Sequence, residues 1–432
     1  MEVMYIKRDY YLQQLIRRRE NGMVKVIVGL RRSGKSFLLF NLYHEYLLST
    51  GVTKEQIIPI ALDDRHWAEY RDVSKLDAYI RSKLKDSNRM YYIFIDEVQY
   101  AIQREELKNP VTTELYDMLN GLLRLKNTDI YVTGSNSKML TSDVLTAFRG
   151  RGDKVELGPL SFKEYYGFVG GDLEEVFEQY GLYGGLPGTL QYGEQEDKIS
   201  YLKSLFDEIY FKDITERYGI ELPEILAQIT DELSSSIGSL TTASSLARAL
   251  SSARRSPVNS VTVFSYLGYL EESFLFRCAK RYDVKGKRYF SYPVKYYCAD
   301  VGLRNVRLNF RQMEESHIME NIIYNELVGR GYAVDVGVVT VDDRDEDKKV
   351  RRRNLEIDFI VNKGMKKYYI QSALRMDDPD KRMQEARPLL SVGDSFRKII
   401  VTKTRMKPWM DDRGVIHIGL YDFLLDEGVI NT

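Results

Sequence analysis

The octet Gly29-Leu30-Arg31-Arg32-Ser33-Gly34-Lys35-Ser36 sets a glycine, four residues and then Gly-Lys-Ser directly after the apolar run Val24–Val28. A glycine-rich turn of this spacing lets backbone N–H groups face phosphate oxygens, and the helix that follows adds its positive N-terminal end. In that chemistry Lys35 reaches the β- and γ-phosphates and the Ser36 hydroxyl ligates Mg²⁺. The nucleotide-contacting segment then runs from Gly29 through Leu30, Arg31, Arg32, Ser33, Gly34, Lys35 and Ser36 to Phe37. Arg31 and Arg32 read equally as phosphate contacts or as exposed loop charges.

Hydrolysis needs acid at a neighbouring strand end. Tyr91-Tyr92-Ile93-Phe94-Ile95-Asp96-Glu97 supplies it, as a continuous apolar run of the kind a buried parallel strand shows. Asp96 would hold Mg²⁺ through water, and Glu97 would polarise the attacking water; a strand ending in a solvated acidic turn is the alternative. A further strand, Ile130-Tyr131-Val132-Thr133, leads into Gly134-Ser135-Asn136-Ser137. Ser135 and Asn136 are both candidates to hydrogen-bond the γ-phosphate or the lytic water, and one of them reads as well as a helix cap. Downstream, Arg151 first and Arg149 second are candidates for an arginine finger reaching a neighbouring subunit's γ-phosphate, which would require a homo-oligomer. A solvated basic loop is the other reading of that segment.

These groups must be positioned by strands that alternate with helices, and composition is consistent with that. A chain of 432 residues exceeds what one core usually holds, so two or three domains are expected. Lys plus Arg and Asp plus Glu both number 63, so no global field draws the chain to nucleic acid. Cys278 and Cys298 are too few for a disulfide scaffold and fit no zinc spacing. No apolar leader or bilayer-length run is present, so the expectation is a cytoplasmic protein without membrane contact.

The middle of the chain reads as helical. Gly184-Gly185-Leu186-Pro187 marks a turn, and residues 201–214 carry apolar residues at helical spacing. Helices are expected over 222–237, over 242–250, and from Ser256-Pro257 onward, the last with Val258, Val261, Phe264, Leu267 and Leu270 on one face. Two β-like runs, 274–280 and 288–292, flank Lys285-Gly286-Lys287. Three helices and a hairpin suggest a winged helix-turn-helix with Asn259, Ser260 and Thr262 nearest a groove. Between residues 241 and 295 Lys and Arg outnumber Asp and Glu ten to three, enough for local phosphate contact. A structural or protein-binding role for this element is equally open.

From about Glu314 the pattern becomes a helix over 316–328 and strands over 332–339, 355–361, 368–372 and 398–402. The mixed-charge run 342–353 between two of these strands reads as a solvated loop.

The phosphate loop, the Phe94-Ile95-Asp96-Glu97-Val98-Gln99 strand end, Thr133-Gly134-Ser135-Asn136-Ser137 and Pro159-Leu160-Ser161-Phe162-Lys163-Glu164-Tyr165 together resemble one family. It is that of bacterial and archaeal AAA+-like ATPases with a C-terminal restriction-endonuclease-like domain. The leader Ile6-Lys7-Arg8-Asp9-Tyr10-Tyr11-Leu12 suits it as well. The resemblance implies an α/β P-loop NTPase domain with a three-layer parallel sheet over 1–165 and a helical lid and linker over 166–220. A winged helix over 221–305 and an endonuclease-like α/β domain over 306–432 would follow. In the endonuclease-like fold, acids on neighbouring elements share Mg²⁺ and a lysine helps activate water. Glu320, Asp358 and Gln371 match the acid positions, but the lysine position holds Ala373. Lys363, Lys366 and Lys367 are the candidates to replace it. The expectation is therefore an ATP-hydrolysing switch or motor, with ATP and Mg²⁺, coupled to DNA or to a protein partner and carrying an inactive nuclease remnant. The alternatives are an ATP-gated DNA nuclease and a nucleotide-controlled scaffold.

Overall fold

A computed structural model describes residues 5–102, 114–135, 151–344, 350–376 and 378–431. The chain forms two compact units, divided between Pro159 and Leu160, with the short segment 272–274 grouped with the first.

The first unit is built on a five-stranded sheet. Its strands are β1 (Val24–Val28), β2 (Ile57–Ala61), β3 (Tyr91–Asp96), β4 (Thr128–Gly134) and β5 (Gly152–Glu156), in the order β2-β3-β4-β1-β5. Every pairing is parallel. β1, β3 and β4 are buried along their whole length, which accounts for their largely apolar sequences; the two buried charges, Lys25 of β1 and Asp129 of β4, pair with each other. Because β4 lies between β3 and β1, its end falls between the phosphate loop and the acidic strand end. Ile27 sits opposite Thr133, and Ile95 opposite Val132. Ligands of such sheets lie beyond the carboxyl ends of the strands, where the strand order reverses.

A helical stretch from Lys35 to Ser49 follows the phosphate loop, with a π-helical middle at Leu38–Tyr43. It packs Leu38, Leu39, Tyr43 and Leu47 into a core with Ile27, Phe94 and Tyr131. The helix Asp9–Arg18 adds Tyr11 and Leu15 to the same core.

The second unit contains a nine-stranded sheet. Its strands are β6 (Leu240–Thr241), β7 (Phe276–Asp283), β8 (Arg288–Cys298), β9 (Ala333–Arg344), β10 (Val350–Lys363), β11 (Lys366–Ala373), β12 (Arg397–Thr402), β13 (Trp409–Met410) and β14 (Val415–Gly419). They run in the order β13-β14-β12-β11-β10-β9-β7-β8-β6. The position 305–306, where a boundary is expected, falls within the span of this one sheet. Helices Pro223–Ser235, Ala243–Arg254 and Ser260–Glu272 precede β7, and β6 pairs antiparallel with β8. Helices Glu315–Gly329 and Pro379–Leu390 pack against the β9–β12 part of the sheet, the latter through Ala386 and Leu389.

Two expectations for this unit are corrected. The third helix opens at Ser260 rather than at Ser256-Pro257, and its buried face is Val263, Tyr266, Leu267 and Leu270. Val261 and Phe264 are 68% and 55% exposed, so they do not belong to the core face. The mixed-charge run is not a loop throughout: β9 extends to Arg344 and β10 begins at Val350. Asp342 stands opposite Arg352, and their charged groups lie 3.7 Å apart. Opposite charges paired across strands stabilise a ladder that composition alone marks as solvated.

Among the described residues no helix is long and apolar enough to cross a membrane.

Candidate functional site

The phosphate loop depends on two glycines. Gly29 has φ +142°, and a Cβ there would lie 2.0 Å from the carbonyl oxygen of Leu157, so no other residue fits. Gly34, at φ +96°, turns the chain into the helix that Lys35 begins. Leu30 and Ser33 are buried, whereas Arg32 points outward with φ +60°. Arg31 donates from Nε to the Ser135 hydroxyl at 3.2 Å, so the loop and the end of β4 touch.

Lys35 is 4% exposed, and its ammonium donates to the carbonyls of Gly29 at 3.1 Å and Leu30 at 3.0 Å. Burial lowers its pKa, against the opposing pull of Glu97 and Asp96. The Lys35 ammonium and the two carboxylates therefore lie close enough to interact. Asp96 is buried and its pKa is raised by that burial, while hydrogen bonds from the Ser36 and Thr133 hydroxyls act in the other direction. Hydroxyl and carboxylate oxygens form a hard donor set of the kind Mg²⁺ takes, with most of its shell left to water and substrate phosphates. Among the described residues no group of three or more acids, histidines or cysteines is placed to hold a metal.

Glu97 has the left-handed conformation, φ +51°, which is uncommon outside glycine and tends to persist where the surroundings enforce it. Two contacts hold the residue, one through its backbone and one through its side chain. Its N–H donates to Thr133 Oγ1 at 3.1 Å, and its carboxylate accepts from the Gln99 amide. Thr133 also donates to Asp96. Sequence reading passed over Thr133; its signal is a polar residue ending the apolar run Ile130–Val132 just before Gly134.

Placement of the other expected residues is mixed. Ser135 is buried beside the loop. Asn136 and Arg149 lie outside the described residues. Arg151 is exposed just before β5, and its carbonyl accepts from Val24, the first residue of β1. That is the opposite end of β1 from the phosphate loop, about 16 Å of strand away. Arg151 therefore does not join the site of its own chain.

In the second unit, Glu320 and Asp358 do come together, around a cation the sequence reading did not propose. Lys295, from β8, lies 3.1 Å from Glu320, 2.8 Å from Glu356 and 4.0 Å from Asp358. Tyr297 donates to Glu320 at 2.7 Å, and Ser372 N–H to Asp358 at 2.8 Å. Gln371 accepts from the N–H of Asp358 and donates to Glu385, both at 3.3 Å. Burial works to lower the Lys295 pKa, but Glu320, Asp358 and Glu356 outweigh it and raise it. Burial, then Glu320, raises that of Asp358. The three lysines proposed from the β10–β11 hairpin go elsewhere. Lys363 donates to the Arg330 carbonyl and Lys366 to Asn431, and Lys367 lies 4.8 Å from the Tyr369 ring centre.

Comparison with known proteins agrees with the architecture of the first unit. An AAA domain model matches residues 21–166, and a domain of unknown function (DUF8612) matches residues 174–314. An uncharacterized protein of Haemophilus influenzae is 32% identical over 402 residues, covering 92% of this chain and 93% of that protein. An uncharacterized protein of Methanocaldococcus jannaschii is 25% identical over 377 residues, covering 84% of this chain and 77% of that one. Among solved structures, the Walker-type ATPase of Pyrococcus abyssi shares the fold with a TM-score of 0.50. It is 17% identical and the match covers 70% of this chain and 96% of that one.

Proposed function

We propose, for a chain that belongs to one family with the uncharacterized Haemophilus influenzae protein and carries an AAA domain, that it binds and hydrolyses ATP as a switch or motor coupled to nucleic acid or a partner protein. The observation that carries this reading is the chain of contacts Asp96–Thr133–Glu97, set beside Lys35 and the phosphate loop. A nucleotide-holding scaffold has no need of an acid held at both its backbone N–H and its carboxylate beside the phosphate loop.

In this reading the loop N–H groups and Lys35 bind the phosphates and hold charge that grows during transfer. Glu97 accepts a proton from the attacking water, and Thr133 keeps it oriented. Ser36 and, through water, Asp96 would hold Mg²⁺, which supplies charge neutralisation at the β- and γ-phosphate oxygens. The arrangement of residues 223–298, three helices with β6 beside the β7–β8 hairpin, supports a winged-helix reading of 221–305. Its basic excess supports DNA contact, and the exposed Val261 and Phe264 support a protein contact. An exposed Arg151 supports a finger acting in trans in a homo-oligomer.

ATP turnover by wild type and Lys35→Ala, with and without single- and double-stranded DNA, tests the proposal. Turnover lost in Lys35→Ala supports it, and a wild type that binds ATP without turnover overturns it in favour of a scaffold. Stimulation by DNA selects nucleic acid as the partner; indifference selects protein.

A second reading, ATP-gated metal-dependent DNA cleavage, is favoured by one observation: Lys295 brings to Glu320 and Asp358 the cation that Ala373 lacks. Cleavage of DNA in the same tubes, abolished by Asp358→Ala, would support it. Intact DNA leaves the centre as an ion-pair network joining β8, β10 and the helix Glu315–Gly329.

A further inference from the structure

Arg8 precedes the first helix, and sequence reading gave it no role beyond membership of the leader. It is nevertheless 3% exposed, an unusual place for a guanidinium. One terminal nitrogen donates to the carbonyl of Ser33 at 3.0 Å. The other donates to the carbonyls of Gly158 at 2.9 Å and Pro159 at 3.4 Å. The guanidinium carbon lies 4.8 Å from the centre of the Tyr11 ring, and the Tyr11 hydroxyl accepts from the N–H of Gly158 at 3.4 Å. The fork thus spans two backbones: the phosphate loop, and the segment that follows β5.

The Ser33 carbonyl matters because of its peptide partner. A trans peptide directs the Gly34 N–H opposite to the Ser33 carbonyl. Holding the carbonyl from one side therefore fixes where that N–H points on the other. A hydrogen bond from a charged donor to the carbonyl also polarises the peptide and strengthens its N–H as a donor. Gly34, at φ +96°, is a residue whose backbone is free to adopt many conformations, so the chain alone does not fix the plane of this peptide. The same segment braces the loop elsewhere: the Ser33 hydroxyl donates to the Leu157 carbonyl at 3.3 Å, and Gly29 packs against that carbonyl.

We propose that Arg8 is a positioning residue for the phosphate loop: its guanidinium, anchored on Gly158 and Pro159, sets the plane of the Ser33–Gly34 peptide and the strength of the Gly34 N–H donor toward nucleotide phosphate. The inference rests on the phosphate-loop reading above. It makes the leader part of the nucleotide site, although it lies before the first strand.

Arg18 supplies the control. It is the last residue of the leader helix that Arg8 precedes, and it ties that helix to β5 through Asp153 at 2.7 Å, but at the end of the sheet away from the loop. Full-length wild type, Arg8→Ala, Arg8→Lys and Arg18→Ala are compared for ATP and ADP binding by calorimetry, for KM and kcat, and for thermal melting. Arg8→Ala is expected to weaken both nucleotides about tenfold or more and to raise KM by a similar factor, with kcat at saturation within about threefold. Arg8→Lys, which replaces a fork with a single point charge, is expected to fall between Arg8→Ala and wild type. It carries the test alone if the alanine variant does not fold. Arg18→Ala is expected to bind as wild type does, whatever its melting temperature. Arg8 variants that bind like wild type, or an Arg18→Ala loss as large as that of Arg8→Ala, overturn the inference alone. A folded wild type that binds neither ATP nor ADP overturns the phosphate-loop reading itself, and this inference with it.

Discussion

The Thr133 hydroxyl accepts the backbone N–H of Glu97 at 3.1 Å, so the last residues of β4 hold the acid that follows β3. The contact follows from strand order: β4 lies between β3 and β1, and its end faces both the acid pair and the phosphate loop. One hydroxyl also serves Asp96. Replacing it disturbs the orientation of both carboxylates without altering the loop.

Thr133→Val keeps the shape and removes the hydroxyl. ATP turnover is expected to fall about 10- to 100-fold, with ATP affinity within about threefold of wild type. Steady-state kinetics and direct binding separate the two, and Thr133→Ser should recover most of the rate. A loss confined to binding would place Thr133 in the phosphate site instead.

Glu97→Gln is the companion experiment. The amide keeps the size of the carboxylate but takes no proton, so turnover should drop at least about a hundredfold while ATP still binds. A single-turnover assay at saturating ATP reads this directly. Normal turnover would remove Glu97 from the mechanism and leave Asp96 as the only acid required.

What was legible in the sequence was what is local. The phosphate-loop octet and the end of β3 are contiguous runs whose residue types and flanking strands can be read without any tertiary contact. Thr133 and Arg8 make contacts between segments far apart in the chain, and no periodicity marks them. Lys295 was hidden for the same reason: it lies on β8, whereas the motif logic looked for a lysine beside Gln371. Val261 and Phe264 misled because the helix Ser260–Glu272 is apolar on more than one side, so spacing alone did not identify the buried stripe. The charged run at 342–353 was read by composition, and the cross-strand pairing that makes it a hairpin becomes visible only with register.

Lys295→Met removes a buried ammonium and leaves Glu320, Glu356 and Asp358 facing one another. Breaking such a pair from one side costs about 3–5 kcal/mol near neutral pH, read from urea denaturation. The variant should regain stability on acidification. Asp358 already has a raised pKa in the folded chain, and losing the lysine raises it further. The folded state then holds protons the unfolded state has released, so stability falls as pH rises. Lys295→Met combined with Glu320→Gln should restore part of the loss at neutral pH. A variant as stable as wild type at pH 8 would mean that the cluster carries no net load.

Asp300 offers a pH test within the second unit. Its carboxylate is buried and accepts from the N–H of Gly185 at 2.7 Å and of Leu303 at 3.1 Å, so it caps a helix and holds the Gly184-Gly185 turn at once. Gly184 is required there, because a Cβ would lie 2.1 Å from Oδ1. Burial pushes the Asp300 pKa up from 3.8 to about 6, against the pull of those backbone N–H groups. Between these two values the folded chain keeps a proton that the unfolded chain gives up, so this group makes stability fall as pH rises from about 4 to about 6 and adds no slope above. Asp300→Asn does not titrate and retains one acceptor oxygen where the carboxylate has two. It is expected to be about 1–3 kcal/mol less stable than wild type near pH 4, with the gap narrowing as pH rises to 6. Urea midpoints at pH 4.5, 5.5 and 7 for both proteins measure this. A gap constant across the three values would show that another carboxyl carries the titration, and a gap that widened with pH would mean the Asp300 pKa is depressed rather than raised.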